Sequence, residues 1–315
     1  MLDYIKAPYL ELKNYKAPKG VKAIFIPMQD GKKIRLMYWT KDKKESSGTI
    51  ILQQGHNEFI EKYYETIQDL LDRNYNVVCF DWRGQGMSDH MISDINKQYI
   101  DDFKIHDEDL TYLINFFIKK NFPRPLIAFG HSMGGCLMLS SLKKHDSDFD
   151  ALLLSAPMLG FKYEKLLSLI SFLSFPFSKK DNYLIFSNPN MGKETPFEEN
   201  DLTNDFDRYQ RTLKLVRLYP QIRLWGVTNA WVRAVRLRLK EIRNNNVINN
   251  SEIKTLVFNS LQDKVVDSNK TIEIISKMKN SKIINFENCK HEILMEKDIY
   301  RKKLWNEFDK FVANL

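Results

Sequence analysis

The chain has 315 residues, 43% of them hydrophobic, with 48 lysines and arginines against 40 acids and a formal net charge of +8. That length and apolar content suffice to bury one large core, or a core with a lid, and exclude a disordered or collagen-like chain. Three cysteines without clustered spacing exclude a disulfide framework and point to a reducing, cytoplasmic compartment; the start of the chain shows no apolar signal segment, and no stretch approaches the roughly 20 apolar residues that span a bilayer.

The runs from Ala23 to Ile26 and from Ile34 to Trp39 read as an antiparallel pair turned at Gln29-Asp30-Gly31. Strands then alternate with helices. A strand at Ile50 to Leu52 precedes a helix from Asn57 to Arg73, and a strand at Val77 to Phe80 precedes a helix from Asp101 to Asn121. A strand at Leu126 to Phe129, a helix from Met133 to Lys144 and a strand at Ala151 to Leu154 follow. Such alternation predicts an α/β fold with a mostly parallel, doubly wound sheet. The pattern breaks at Met158 and resumes with strands near Leu256 and Ile284 and helices near Ile272 and Trp305. The break is too long for a loop, so a helical cap over 158–240 is expected, inserted into a core of 1–157 and 241–315.

Chemistry enters at Gly130-His131-Ser132-Met133-Gly134, followed by Gly135, between the apolar strand at Leu126 and the apolar helix that begins at Met133. Glycines on both sides let the backbone take a strained turn with a serine at its apex, the arrangement of a nucleophile. A free hydroxyl is a weak nucleophile, so a base is required. In the fold that uses this turn, chain order runs Ser, acid, His. Only His145 and His291 follow Ser132, and His145 ends the helix that Ser132 opens, about 20 Å away at ~1.5 Å per residue. His291 remains. The acid is expected in the loop after the strand at Leu256, where Asp263 is favoured over Asp267, which sits where a helix cap belongs.

Four blocks share an order with a known family: Gln54-Gly55-His56-Asn57-Glu58, then Asp81-Trp82-Arg83-Gly84-Gln85-Gly86-Met87-Ser88, then the Gly130 to Gly135 turn, then Asp263-Lys264-Val265-Val266 with His291. With these the chain resembles the bacterial lysophospholipase and monoacylglycerol lipase group of the α/β-hydrolase superfamily. The resemblance implies the α/β-hydrolase fold, a Ser132, Asp263, His291 triad, and an oxyanion hole from the backbone N–H groups of His56 and Met133. Only the backbone of His56 is invoked, which leaves its imidazole open to being a plain surface-loop side chain. It implies a serine esterase that needs no cofactor or metal and cleaves a lipid with one acyl chain through an acyl-enzyme, foremost a lysophospholipid. A monoacylglycerol lipase or general carboxylesterase is the alternative; a non-catalytic lipid-binding relative and a peptidase stand further back. One position departs from the family: Gln54 stands where a histidine is usual.

Within the expected cap, the uncharged run 166–177 holds Leu169 and Phe172, read either as lining for an acyl chain and contact with a membrane surface, or as packing of the cap on its own core. Between Phe206 and Arg243 stand ten lysines and arginines against two acids. Arg233, Arg236, Lys240 and Arg243 fall on one helix face, opposite Trp231, Val235, Leu239 and Ile242. The stripe is either a solvated face or an attractor for anionic lipid or a substrate phosphate, with Arg233 and Arg236 nearest the mouth. No nucleic-acid module accompanies the charge, and no protein partner is implied.

Overall fold

A computed structural model describes residues 4–42, 46–161, 179–184, 194–244, 248 and 250–315. Leu169 and Phe172, with the rest of the uncharged run, lie outside the described residues.

The first strands are β1 (Ile5–Lys6), β2 (Lys22–Pro27) and β3 (Lys33–Trp39), of which β2 and β3 form the expected hairpin, with Gly31 at φ +82° in the turn. Then come β4 (Thr49–Gln53), α1 (Tyr64–Asp72), β5 (Asn76–Phe80), a two-residue β6 (Lys97–Gln98) and α2 (Lys104–Leu113). β7 (Leu126–His131) leads into α3 (Met133–His145), and β8 (Ala151–Ser155) follows. Among the described residues, nine strands share one sheet in the order β1-β2-β3-β5-β4-β7-β8-β10-β11, with β10 at Lys254–Ser260 and β11 at Ser281–Phe286. From β5 onward every pairing is parallel. β4, β5, β7 and β8 are buried along their whole length, as strands covered by helices on both faces must be. Apolar clusters fill both sides of the sheet, one around Leu137, Leu154 and Val257, the other around Phe129, Phe258 and Trp305.

Between β8 and β10 lie α4 (Phe206–Leu218), β9 (Gly226–Val227) and α5 (Asn229–Arg243), none of which joins the main sheet. β9 instead pairs with β6, and the Thr228 hydroxyl donates to the Gln98 carbonyl at 2.7 Å. Trp231, Val235, Leu239 and Ile242 of α5 enter the core cluster, as their spacing requires. α5 runs unbroken to Arg243, so the boundary expected at 240 falls inside a helix. Its Arg238 is buried and makes a forked pair with Asp107 of α2, at 2.9 and 2.6 Å. The chain closes with α6 (Ser268–Ile275) and α7 (Asp298–Val312).

Two readings need correction, and three short strands were not anticipated. The helix expected from Asn57 begins only at Ile60, as one 3-10 turn ahead of α1, because Asn57 (φ +56°) and the residues before α1 form the loop over Ser132. The helix expected from Asp101 starts at Lys104 and passes through a π turn over Ile114–Ile118. β1, β6 and β9 are each two residues long, too short to leave a periodic signal.

Candidate active site

Ser132 sits between β7 and α3 at φ +49°, ψ −116°, a conformation L-residues avoid at a cost of about 1–3 kcal/mol. Packing holds it there. A Cβ on Gly130 would lie 2.6 Å from the Gly135 nitrogen, and one on Gly134 would lie 2.6 Å from the Gln54 carbonyl oxygen. The flanking glycines are therefore demanded by close approach: of the turn to its own helix, and of that helix to the loop after β4. The Ser132 N–H donates to the Ser155 carbonyl, and its own carbonyl accepts from Cys136 and Met158.

The loops after β10 and β11 bring the other two groups in. His291 Nε2 lies 2.9 Å from Ser132 Oγ, and its Nδ1 lies 2.6 Å from Asp263 Oδ2. A carboxylate only accepts, so the proton resides on Nδ1 and Nε2 is left with its lone pair toward the hydroxyl. The other oxygen of Asp263 accepts from the Val265 and Val266 N–H groups at 2.8 and 2.9 Å, which fixes the carboxylate in its turn. Burial disfavours the imidazolium, but the charge and hydrogen bond of Asp263, with Glu292 and Glu58 beyond, outweigh it and raise the His291 pKa. A raised pKa keeps the imidazole protonated, and so unable to act as a base, to higher pH than usual. The acid limb of kcat/KM should therefore have its midpoint above about 6.5, the ordinary histidine value, in a pH–rate profile on a neutral ester; a midpoint below 6 would contradict this electrostatic picture.

Asp267 does what its position announced: it caps α6, accepting from Asn269 and Lys270 N–H. His145 is held by Thr111 and Asp148 at the far end of α3.

The loop Gln54–Asn57 lies against Ser132, since a Cβ on Gly55 would be 3.0 Å from Ser132 Cβ. Met133 is the first residue of α3, where an N–H has no intrahelical partner, so its donor is available for a developing oxyanion. The Asp81 to Ser88 block gains its physical reason here. Trp82 Nε1 donates to the Gln54 carbonyl at 3.1 Å and Gln85 Nε2 to the Gly55 carbonyl at 3.0 Å, while Gln85 Oε1 accepts from Asn57 N–H at 2.8 Å. Gln54, in place of the usual histidine, donates its amide to Asp81 Oδ1 at 3.1 Å. Asp81 is itself held by Arg35 and by the Ile60 and Met87 N–H groups. Two side chains, Trp82 and Gln85, thus pin the backbone of residues 54, 55 and 57 in the loop against Ser132, and Asp81 holds the side chain of Gln54.

The imidazole of His56 is half-buried rather than a plain surface-loop side chain. It packs on Trp231 with ring centroids 4.5 Å apart, its Nε2 is buried, and burial pushes its pKa down to about 4.

A cavity of about 340 Å³ opens on Ser132 and His291. Its apolar wall includes Phe59, Leu202, Leu213, Val216 and Val265, and its polar part includes Glu58, Lys62, Glu194, Arg223 and Glu292. Arg233 and Arg236 do not line it; Arg233 is exposed and Arg236 half-buried on the far side of α5 from its core face. Glu58, Lys62 and Glu292 were missed from sequence. The four-residue spacing of Glu58 and Lys62 is the one signal that could have found two of them, but an ordinary helix-surface ion pair has the same spacing.

The family described as serine aminopeptidase, S33 (Hydrolase_4) matches residues 44–298. The probable lysophospholipase L2 of Haemophilus influenzae is 26% identical over 269 residues, spanning 84% of this chain and 83% of that protein. Lysophospholipase L2 of Escherichia coli is 26% identical over 267 residues, spanning 80% and 76%. A solved structure of a soluble variant of monoglyceride lipase from Saccharomyces cerevisiae, bound to a substrate analogue, has the same fold. It aligns with a TM-score of 0.74 at 19% identity over 98% of this chain and 99% of that one. Helices on both faces of a mostly parallel sheet, a serine on a strained strand-to-helix turn, and a family match across most of the sequence lead to one placement: the chain belongs to the serine aminopeptidase S33 family, Hydrolase_4, of the α/β-hydrolases.

Proposed function

We propose that this protein is a serine hydrolase that cleaves the carboxylic ester of a lipid bearing one acyl chain, foremost a lysophospholipid. The observation that carries the reading is the Ser132–His291–Asp263 relay opening on a cavity with an apolar wall. In this reading Ser132 Oγ attacks the acyl carbonyl carbon while His291 Nε2 takes the hydroxyl proton. The negative oxygen is met by the His56 and Met133 N–H groups. The tetrahedral intermediate collapses, the alcohol leaves with the proton from His291, and a water deprotonated by the same imidazole releases the fatty acid.

The relatives named for monoacyl lipids support an ester over a peptide, and so do the cavity's carboxylates. An aminopeptidase needs a carboxylate to meet the substrate's amino group. Glu58 and Glu292 are both committed to Lys62, and Glu194 is committed to Arg217. We also assign the segment inserted between β8 and β10, from 158 to the end of α5 at Arg243, as the cap, since α4 supplies Tyr209, Thr212, Leu213 and Val216 to the cavity. Among the described residues no helix is long and apolar enough to cross a membrane. The test is the hydrolysis rate across a panel: acid released from lysophospholipid, monoacylglycerol, diacyl lipid and a short ester, and amine released from an aminoacyl amide. Monoacyl lipids should lead; a preference for the amide would overturn the reading.

The basic stripe gives a separate prediction for the head group. If Arg233, Arg236, Lys240 and Arg243 attract an anionic surface, hydrolysis of lysophospholipid in anionic vesicles should fall several-fold with salt, while soluble short esters should not respond. Screening is the reason, since the Debye length shrinks from about 10 Å at 0.1 M to 3 Å at 1 M. Replacing all four with Gln should remove the salt response. A response that survives in the fourfold variant makes the stripe a solvated face.

A further inference from the structure

Beneath the oxyanion loop lies a buried ionic bridge that the triad chemistry does not use. Glu58 Oε2 accepts from the Gly55 N–H at 2.5 Å and from the Tyr63 hydroxyl at 2.7 Å. Its other oxygen accepts from Lys62 Nζ at 2.6 Å, and the same ammonium reaches Glu292 Oε1 at 2.5 Å. All three charged side chains are buried, and all three line the cavity at Ser132. Glu58 belongs to the loop after β4, whereas Glu292 follows His291 in the turn after β11, more than 200 residues away.

We propose that Lys62 is a positioning residue for catalysis: by bridging Glu58 and Glu292 it locks the oxyanion loop to the turn that carries His291. This rests on reading Ser132 and His291 as nucleophile and base. The oxyanion loop is fixed from one side by Trp82, Gln85 and Gln54, and Glu58 fixes its Gly55 from the other. Glu58 can do that only while its own position is set. Tyr63 and Lys62 set it, and of these only Lys62 also reaches the histidine turn. That turn has further anchors: Glu292 N–H donates to the Leu202 carbonyl at 2.7 Å, and the Asp263 carboxylate holds the imidazole. The bridge adds what those anchors cannot supply, a fixed distance between the base and the oxyanion donors across the reacting carbonyl. Rate depends steeply on that distance, because donors act only when they lie about 2.7–3.1 Å from where the oxyanion forms. Burial and the neighbouring Glu58 raise the Glu292 carboxyl above its ordinary value, and the Lys62 ammonium opposes that rise. Burial opposes the charge on Lys62, but Glu292 and Glu58 raise its pKa, and Lys62 and His131 hold Glu58 down to about 2 against its own burial.

The experiment compares wild type with Lys62→Met and with the charge-balanced Lys62→Met/Glu292→Gln, which loses one cation and one anion together. kcat and KM are measured on a short-chain ester, and the rate of fluorophosphonate labelling is measured per folded chain. A bridge that acts in the transition state should cost at least tenfold in kcat with KM within about threefold, and should slow labelling by a similar factor. The double variant should be equally slow, because it restores the charge balance but not the link. If Lys62→Met fails to fold, the double variant carries the comparison. A kcat within threefold of wild type in either folded variant, or a loss confined to KM, overturns the proposal. The catalytic reading fails differently, by activity that survives Ser132→Ala or a label that lands elsewhere.

Discussion

Ser132→Ala is expected to abolish ester hydrolysis, by about 10⁴- to 10⁶-fold in turnover, while leaving the fold intact. The size follows from the absence of a substitute: Ser132 Oγ is the hydroxyl that His291 Nε2 faces, at 2.9 Å. The fold should survive because the turn is held by backbone hydrogen bonds and glycine close approach, which alanine leaves in place. Turnover of a chromogenic ester, with the melting temperature measured alongside, checks both halves. Retention of a tenth of the activity would remove Ser132 from its role.

Asp263→Asn should cost about four powers of ten in kcat, because the carboxylate that fixes the imidazole tautomer and stabilises the imidazolium is gone. With an amide nitrogen turned toward Nδ1, the proton would move to Nε2, the wrong side for accepting from Ser132. The contrast is Asp267→Ala, four residues on. There the loss is a helix cap, worth about 1 kcal/mol of stability, with kcat unchanged. Parallel kinetics and thermal melts of the two variants separate the roles. Equal kinetic defects would contradict the assignment made from the geometry.

The two aspartates also show what sequence was able to carry. A helix cap is a local device, so Asp267 was readable from the pattern that follows it. The elbow was readable because glycine spacing between a buried strand and an apolar helix is local too. His291 followed from chain order and the elimination of His145. The parallel sheet followed from alternation of strands and helices, each long enough to show its period.

What escaped was non-local. Lys62 meets Glu292 only when the loop after β4 and the turn after β11 have been brought together by sheet order, and no spacing in the chain records that. The Asp81 to Ser88 block was visible as a motif but not as a brace, because its targets are backbone atoms of residues 54, 55 and 57, and a motif carries no mark of what it touches. The packing of the His56 ring left no mark in its own loop, because its partner Trp231 comes from the inserted segment 175 residues away. The stripe on α5 has the face its spacing gave it, but the burial of Arg238 depended on Asp107 of α2, a partner from another element.

The central claim is that Ser132 becomes acylated by a single-chain lipid ester in the cavity it shares with His291. Reaction with a long-chain fluorophosphonate, followed by intact-mass and peptide analysis, tests it most directly. One adduct per chain is expected, on the peptide containing Ser132, with labelling slowed by lysophospholipid in competition and abolished in Ser132→Ala. An unlabelled chain, an adduct on another residue, or labelling indifferent to the monoacyl lipid would contradict the account.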